Sequence, residues 1–195
     1  MEWLYAALAG YLLGSLPFAY WFGVLQNKNL LLEGSGNIGA RNAWRVLGAV
    51  PGLMVLVLDV AKGIMAVALG EFLAQSPGGG LLAGALAVIG HCYSLWLLGR
   101  GGKGLAPSLG VLFAINPLLL AAAAGFFALA YLLTRSLYRG VALGALAFPV
   151  AASVIGGSLD YLWFGFGVAM PVALKHLAEW HRSPDSKAKG RAKSG

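Results

Sequence analysis

The sequence predicts an all-α, polytopic membrane protein with about seven transmembrane helices, its N-terminus outside and its C-terminus cytoplasmic. Three observations lead there. Mean hydropathy is +0.76, only 11% of the residues are charged, and the lysines and arginines fall in a few clusters between long apolar runs. A typical soluble domain carries about 25% charged residues, so a water-facing surface is excluded for most of this chain.

The first run, Trp3 to Leu25, is uncharged and, at about 1.5 Å per residue, long enough for a hydrocarbon core of roughly 30 Å. It carries Glu2 instead of a basic leader and has no clean small-residue cleavage site before Gln26, so it reads as a retained span and not a signal peptide. Gly48 to Gly70 is the second span, interrupted by Asp59 and Lys62, and Leu81 to Leu98 is the third, containing His91. Leu105 to Leu133 follows, broken by Asn116-Pro117, and then two shorter runs, Val141 to Gly157 and Leu159 to Leu174.

Charge decides how often Leu105 to Leu133 crosses. The basic clusters are Lys28, Arg41 and Arg45; Arg100 and Lys103; Arg135 and Arg139; and the end of the chain from Lys175 to Lys193. The intervening connections hold Glu71, Asn116-Pro117 and Asp160. If the long stretch turns at Asn116-Pro117, itself a turn signal, every basic cluster lies on one side, as the positive-inside rule asks. Leu105 to Ile115 is then only about 16 Å long at the helical rise, too short to span alone. Irregular backbone at that depth is tolerated where protein buries it or a wet cavity meets it, so "GRGGKG", Gly99 to Gly104, is expected to form the wall of a site.

The chain reads as one membrane-integral domain over 1–182, followed by a basic disordered tail over 183–195. The tail's cations suit anionic lipid headgroups, which accounts for a pI near 9.8 without a nucleic-acid partner. The lone Cys92 permits no internal disulfide and reads as a small buried apolar residue. No His and carboxylate spacing suggests a metal site, and no cofactor motif is present.

Two polar segments on the cation-rich side resemble each other. "GSGNIGARN", Gly34 to Asn42, leads into the second span, and "GRGGKGLAPSLG" leads into the fourth. Glycines bring successive N–H groups near a bound anion and a helix N-terminus adds partial positive charge. Lys103, Arg41 and Arg45 supply full charges, and Ser35, Asn37 and Asn42 supply neutral donors. These are the parts of two phosphate pockets. Neither has the P-loop spacing, since Gly104 stands where Ser or Thr should follow the lysine. The plainer alternative is helix packing by glycine and topology-setting by cations, and it fits each loop separately better than it fits both together.

"GSGNIGARN", the run Val57-Leu58-Asp59-Val60-Ala61-Lys62-Gly63, Gly90-His91, and "GGKG" at Gly101 to Gly104 occur in the order and spacing of the bacterial acyl-phosphate:glycerol-3-phosphate acyltransferases, which the chain resembles to about Leu174. The resemblance implies a seven-helix inner-membrane enzyme with its site facing the cytoplasm. It would move a fatty acyl group from acyl phosphate to the 1-hydroxyl of glycerol 3-phosphate, giving lysophosphatidate and phosphate. Both substrates are anions, which two cationic, glycine-lined pockets suit. By the same resemblance Lys103 with Gly101, Gly102 and Gly104 holds a phosphate. Ser35 and Asn37, with the backbone of Gly34, Gly36 and Gly39, line the reacting centre, Asn42 adds a donor, and Arg45 clamps glycerol phosphate. His176 is the candidate proton acceptor or substrate orienter, although a leaving phosphate oxygen would serve as acceptor equally well.

The chain departs from the family pattern at Arg41, where threonine is common, and at Ser94, where a proline is usual. Tyr138 stands for a substrate-contacting serine, and Glu179 for the asparagine of the C-terminal motif. Asp59 and Lys62, at i and i+3 in a span, read first as a neutralised pair supporting the site, and His91 as an interhelical hydrogen-bonding residue. Two other functions fit parts of the pattern. A relative that binds lipid or acyl phosphate without turnover is suggested by Tyr138 and Glu179. An organic-anion transporter is suggested by the short glycine-led helix, but carriers pair broken segments near mid-membrane, whereas here the polar motifs gather at one face.

Overall fold

The computed structural model describes residues 1–181 and is all-helical there. The order is α1 (Glu2–Ser15), α2 (Phe18–Leu25), α3 (Ala40–Leu47), α4 (Ala49–Ala74), α5 (Pro77–Cys92), a 3-10 turn (Leu95–Leu97), α6 (Leu105–Ile115), α7 (Pro117–Thr134), α8 (Leu137–Gly156) and α9 (Leu159–Leu177). Five segments are long and apolar enough to cross a membrane: Glu2–Leu25, Ala49–Ala74, Pro77–Leu97, Pro117–Thr134 and Leu137–Gly156. The expected basic tail over 183–195 lies outside the described residues.

Helices α4 and α5 form the centre: α4 packs against α1, α2, α3, α5 and α6, and α5 against α1, α4, α6 and α9. Lipid-exposed helices gain little from apolar burial against one another, so small residues bring the backbones together. Ala83 and Ala87 of α5 sit directly against Gly10 and Gly14 of α1. Helix α7, by contrast, has only 6% of its apolar window buried and packs on α8 at the periphery.

The expected single span over Trp3 to Leu25 is interrupted. Pro17 has no N–H and, with Leu16 extended at ψ 119°, separates α1 from α2. The break frees carbonyls inside an apolar bundle, where an unpaired one costs several kcal/mol, about what a lost buried hydrogen bond costs. Ser94 Oγ donates to Ser15 O at 2.6 Å and Lys62 Nζ donates to Leu16 O at 3.0 Å. Ser94 thus caps this break.

The glycine segment after α2 does not lead directly into the second span. It opens α3, a short helix that buries Asn42, Ala43 and Leu47 and exposes Arg41, Trp44 and Arg45. Gly48, at φ 106°, ends α3 and begins α4. Lys28 Nζ satisfies the Val46 carbonyl at 2.7 Å near the C-terminal end of α3. The break at Asn116-Pro117 falls where the sequence indicates: Asn116 caps α7 by accepting from Leu118 N, and Pro117 occupies the first helical position.

Candidate active site

The two glycine segments, about sixty residues apart in sequence, meet. Ser35, Gly36 and Asn37 from the first, Gly101 and Lys103 from the second, and Lys175, Ala178 and Glu179 from the end of α9 line one cavity of about 190 Å³. Two lysines and one carboxylate face it, together with a serine hydroxyl and an asparagine amide.

The first loop is held from α3. Asn42 is 2% exposed; its Oδ1 accepts from Ser35 N at 2.8 Å, and its Nδ2 donates to Glu33 O and Leu30 O at 3.1 and 3.3 Å. Its amide is therefore committed to shaping the loop, and Asn42 acts on a ligand only through Ser35. Gly36 turns the chain at φ +74°, a left-handed backbone that suits glycine. Gly34 packs on Asn42 and Val46, and Gly39, in extended conformation, precedes α3 and accepts from the N–H groups of Asn42 and Ala43. Arg45 is exposed on α3 and is not among the cavity lining.

The second loop is pressed onto the end of α5. Gly102 N donates to His91 O at 2.9 Å, and a Cβ at Gly102 would overlap the His91 imidazole. The loop needs glycine there for close approach, besides any part its amides play toward an anion. Behind His91 lies Asp59: its Oδ1 is 3.6 Å from His91 Nδ1 and 2.8 Å from Lys62 Nζ. Asp59, Lys62 and His91 are 2%, 2% and 7% exposed. They connect the second loop, through α5, to α4 and to the break between α1 and α2. Gly104, at φ +83°, starts α6 against Val172 and Cys92.

Lys103 is held by neighbouring side chains. Its Nζ pairs with Glu179 Oε2 at 2.6 Å and lies 4.3 Å from the Tyr138 ring centre. Glu179 and Tyr138 thus converge on this lysine. Glu179 does not stand as an unneutralised charge in the site.

His176 is fully buried and is not among the cavity lining; its Nδ1 lies 2.8 Å from Val172 O. With the proton on Nδ1, Nε2 is left as an acceptor, and it finds no hydrogen-bond partner among the described residues. Sequence reasoning missed Lys175 as a wall residue. Its Nζ lies 4.5 Å from the Tyr93 ring centre, and the signal for it was a cation in the last turn of a span, one residue before His176.

A family model described as glycerol-3-phosphate acyltransferase matches residues 4–184. A glycerol-3-phosphate acyltransferase of Synechococcus sp. (strain JA-3-3Ab) is 42% identical over 174 residues, covering 89% of this chain and 85% of the relative. One from Desulforamulus reducens is 38% identical over 175 residues, covering 87% and 85%. The crystal structure of PlsY, an integral membrane glycerol 3-phosphate acyltransferase, in its glycerol 3-phosphate form superposes with a TM-score of 0.79 at 26% identity, covering 93% of this chain and 92% of that one. Its lysophosphatidic acid form gives a TM-score of 0.77 at 26% identity, covering 93% and 91%.

Proposed function

The chain belongs to the glycerol-3-phosphate acyltransferase family, and from that premise we propose how its cavity carries out the transfer. The enzyme is a membrane-integral glycerol-3-phosphate acyltransferase producing lysophosphatidic acid. The donor is a fatty acyl phosphate, and the acceptor oxygen is the primary hydroxyl of glycerol 3-phosphate.

The hydroxyl oxygen attacks the acyl carbonyl, a C–O ester bond forms, and the bond from the acyl carbon to the phosphate oxygen breaks as phosphate leaves. A mixed anhydride is already activated, so the chain supplies position and charge stabilisation and needs no covalent nucleophile. Lys103 and the Gly101 backbone hold one phosphate, while the Gly102 N–H is spent on the His91 carbonyl. Ser35 and Asn37 line the reacting centre, and Lys175 supplies the second cation of the cavity. Arg45, on the exposed face of α3, reaches the glycerol phosphate from the rim. The hydroxyl proton passes to an oxygen of the departing phosphate, the acceptor that needs no rearrangement while His176 stays inside the fold. His176 then orients the last turn of α9, which carries Lys175 and leads to Glu179. An apolar slot of about 110 Å³ between α6, α7, α8 and α9, lined by Leu105, Leu112, Phe127, Phe148 and Val172 among others, receives part of the acyl chain beside the start of α6.

On this reading the chain crosses seven times, α6 and α9 completing the five longer segments, and the positive-inside rule favours the cytoplasmic side of a bacterial inner membrane for the cation clusters and this cavity. The lysophosphatidate formed there enters phospholipid synthesis.

The observation that carries this reading is the single cavity lined jointly by Ser35 and Asn37 from one glycine loop and Lys103 from the other. It is tested by Lys103→Ala and Ser35→Ala in the purified full chain, supplied with palmitoyl phosphate and glycerol 3-phosphate. Loss of one charge-stabilising donor is expected to lower kcat/KM about a hundredfold. Turnover unchanged in both variants would show that the chemistry lies elsewhere.

A further inference from the structure

We infer that Glu179 is an internal counter-ion of the phosphate site, a carboxylate that occupies Lys103 when no substrate does and thereby sets how weakly the enzyme holds inorganic phosphate. The inference rests on the reading of Lys103 as a phosphate seat. Its own support is separate and geometric.

Glu179 Oε2 lies 2.6 Å from Lys103 Nζ, the spacing of a short charge-assisted hydrogen bond, and the two side chains are only 20% and 18% exposed. Both line the same cavity, so the carboxylate takes up an ammonium that a phosphate oxygen would use. A phosphate dianion brought onto Lys103 meets a carboxylate already there. Two anions on one cation repel, so phosphate either displaces Glu179 or binds beside it at a cost. The chain position permits displacement. Glu179 lies beyond the end of α9 at Leu177, in a turn where its N–H bonds to His176 O at 3.0 Å. Lys103 is kept in place meanwhile by the Tyr138 ring, 4.3 Å from its Nζ to the ring centre. The second cation, Lys175, shares the cavity with both anions.

Glu179 raises the KM for the anionic substrates and speeds the departure of product phosphate, because a tethered carboxylate always competes for the vacated lysine. Glu179 is thus an affinity-setting residue and takes no part in bond making.

The test is calorimetric titration of inorganic phosphate into the purified full chain in lipid nanodiscs, for wild type, Glu179→Gln, Lys103→Ala and the double variant. Glu179→Asn, which also removes the charge, is run in parallel so that the answer does not hang on one variant folding. Removing the competing charge is expected to tighten phosphate about tenfold, with the gain lost in the double variant relative to Lys103→Ala. In turnover, KM falls and kcat does not rise, a split that a merely structural role would not produce. Phosphate bound equally or more weakly by the charge-removed variants, while Lys103→Ala still loses it, would overturn this inference and leave the Lys103 assignment standing. Phosphate held by Lys103→Ala as well as by wild type would overturn both.

Discussion

At Gly102 the space a side chain would take is filled by the His91 ring, and Gly102 N is bonded to the His91 carbonyl. That one contact ties the loop carrying Lys103 to a buried charge cluster in which Asp59 is 2.8 Å from Lys62. Gly102→Ala should therefore displace loop or ring, at about 1–3 kcal/mol of overpacking. The expected outcome is a lower Tm of the detergent-solubilised chain together with loss of turnover; a fully stable and active variant would contradict the close packing. Ser35, Gly36, Asn37, Gly101 and Lys103 were singled out in the sequence because backbone donors and a cation in short loops suit an anion, and the structure brings these five to one cavity. Asn42 was read as a ligand-facing donor because a sequence does not reveal that both ends of an amide are spent on backbone groups at separations of 7, 9 and 12 residues. The contact of Lys103 with Glu179, 76 positions further on, follows only from how α9 ends beside the loop.

The elements were legible in proportion to their length and punctuation. Helix α6 runs from Leu105 to Ile115, as the flanking Gly104 and Asn116-Pro117 indicate, because a helix N-terminus and a pre-proline stop are local decisions. Helix α3, eight residues long, escaped notice because its apolar positions Ala43 and Leu47 make barely two turns of pattern. The break at Leu16-Pro17 was hidden in an unbroken apolar run, and its cost is met by residues far away in sequence, Lys62 and Ser94. Ser94→Ala should leave the Ser15 carbonyl unpaired and cost about 1–3 kcal/mol. Lys62→Met should cost more, because it uncovers the Leu16 carbonyl and leaves Asp59 without its ammonium. Thermal unfolding in detergent measures both. Equal Tm values for wild type and Lys62→Met would remove the cap from the account.

For the molecule as a whole, charge distribution and helix order together argue for one cation-rich face that carries the cavity. The single cysteine, Cys92, is buried, which leaves a quiet background for labelling introduced cysteines. Asn116→Cys and Asp160→Cys are expected to react with an impermeant maleimide added outside intact cells, and Arg135→Cys only after permeabilisation. Labelling of Arg135→Cys from outside would mean that α6 does not cross, and would place the cavity differently with respect to the membrane.

The most direct test of the central claim is the stoichiometry of the wild-type reaction. Purified protein is given palmitoyl phosphate with and without glycerol 3-phosphate, and released phosphate and lysophosphatidate are followed together. Release should depend on glycerol 3-phosphate, with one phosphate for each lysophosphatidate. Phosphate released without acceptor, or acyl phosphate bound with neither product formed, would contradict it.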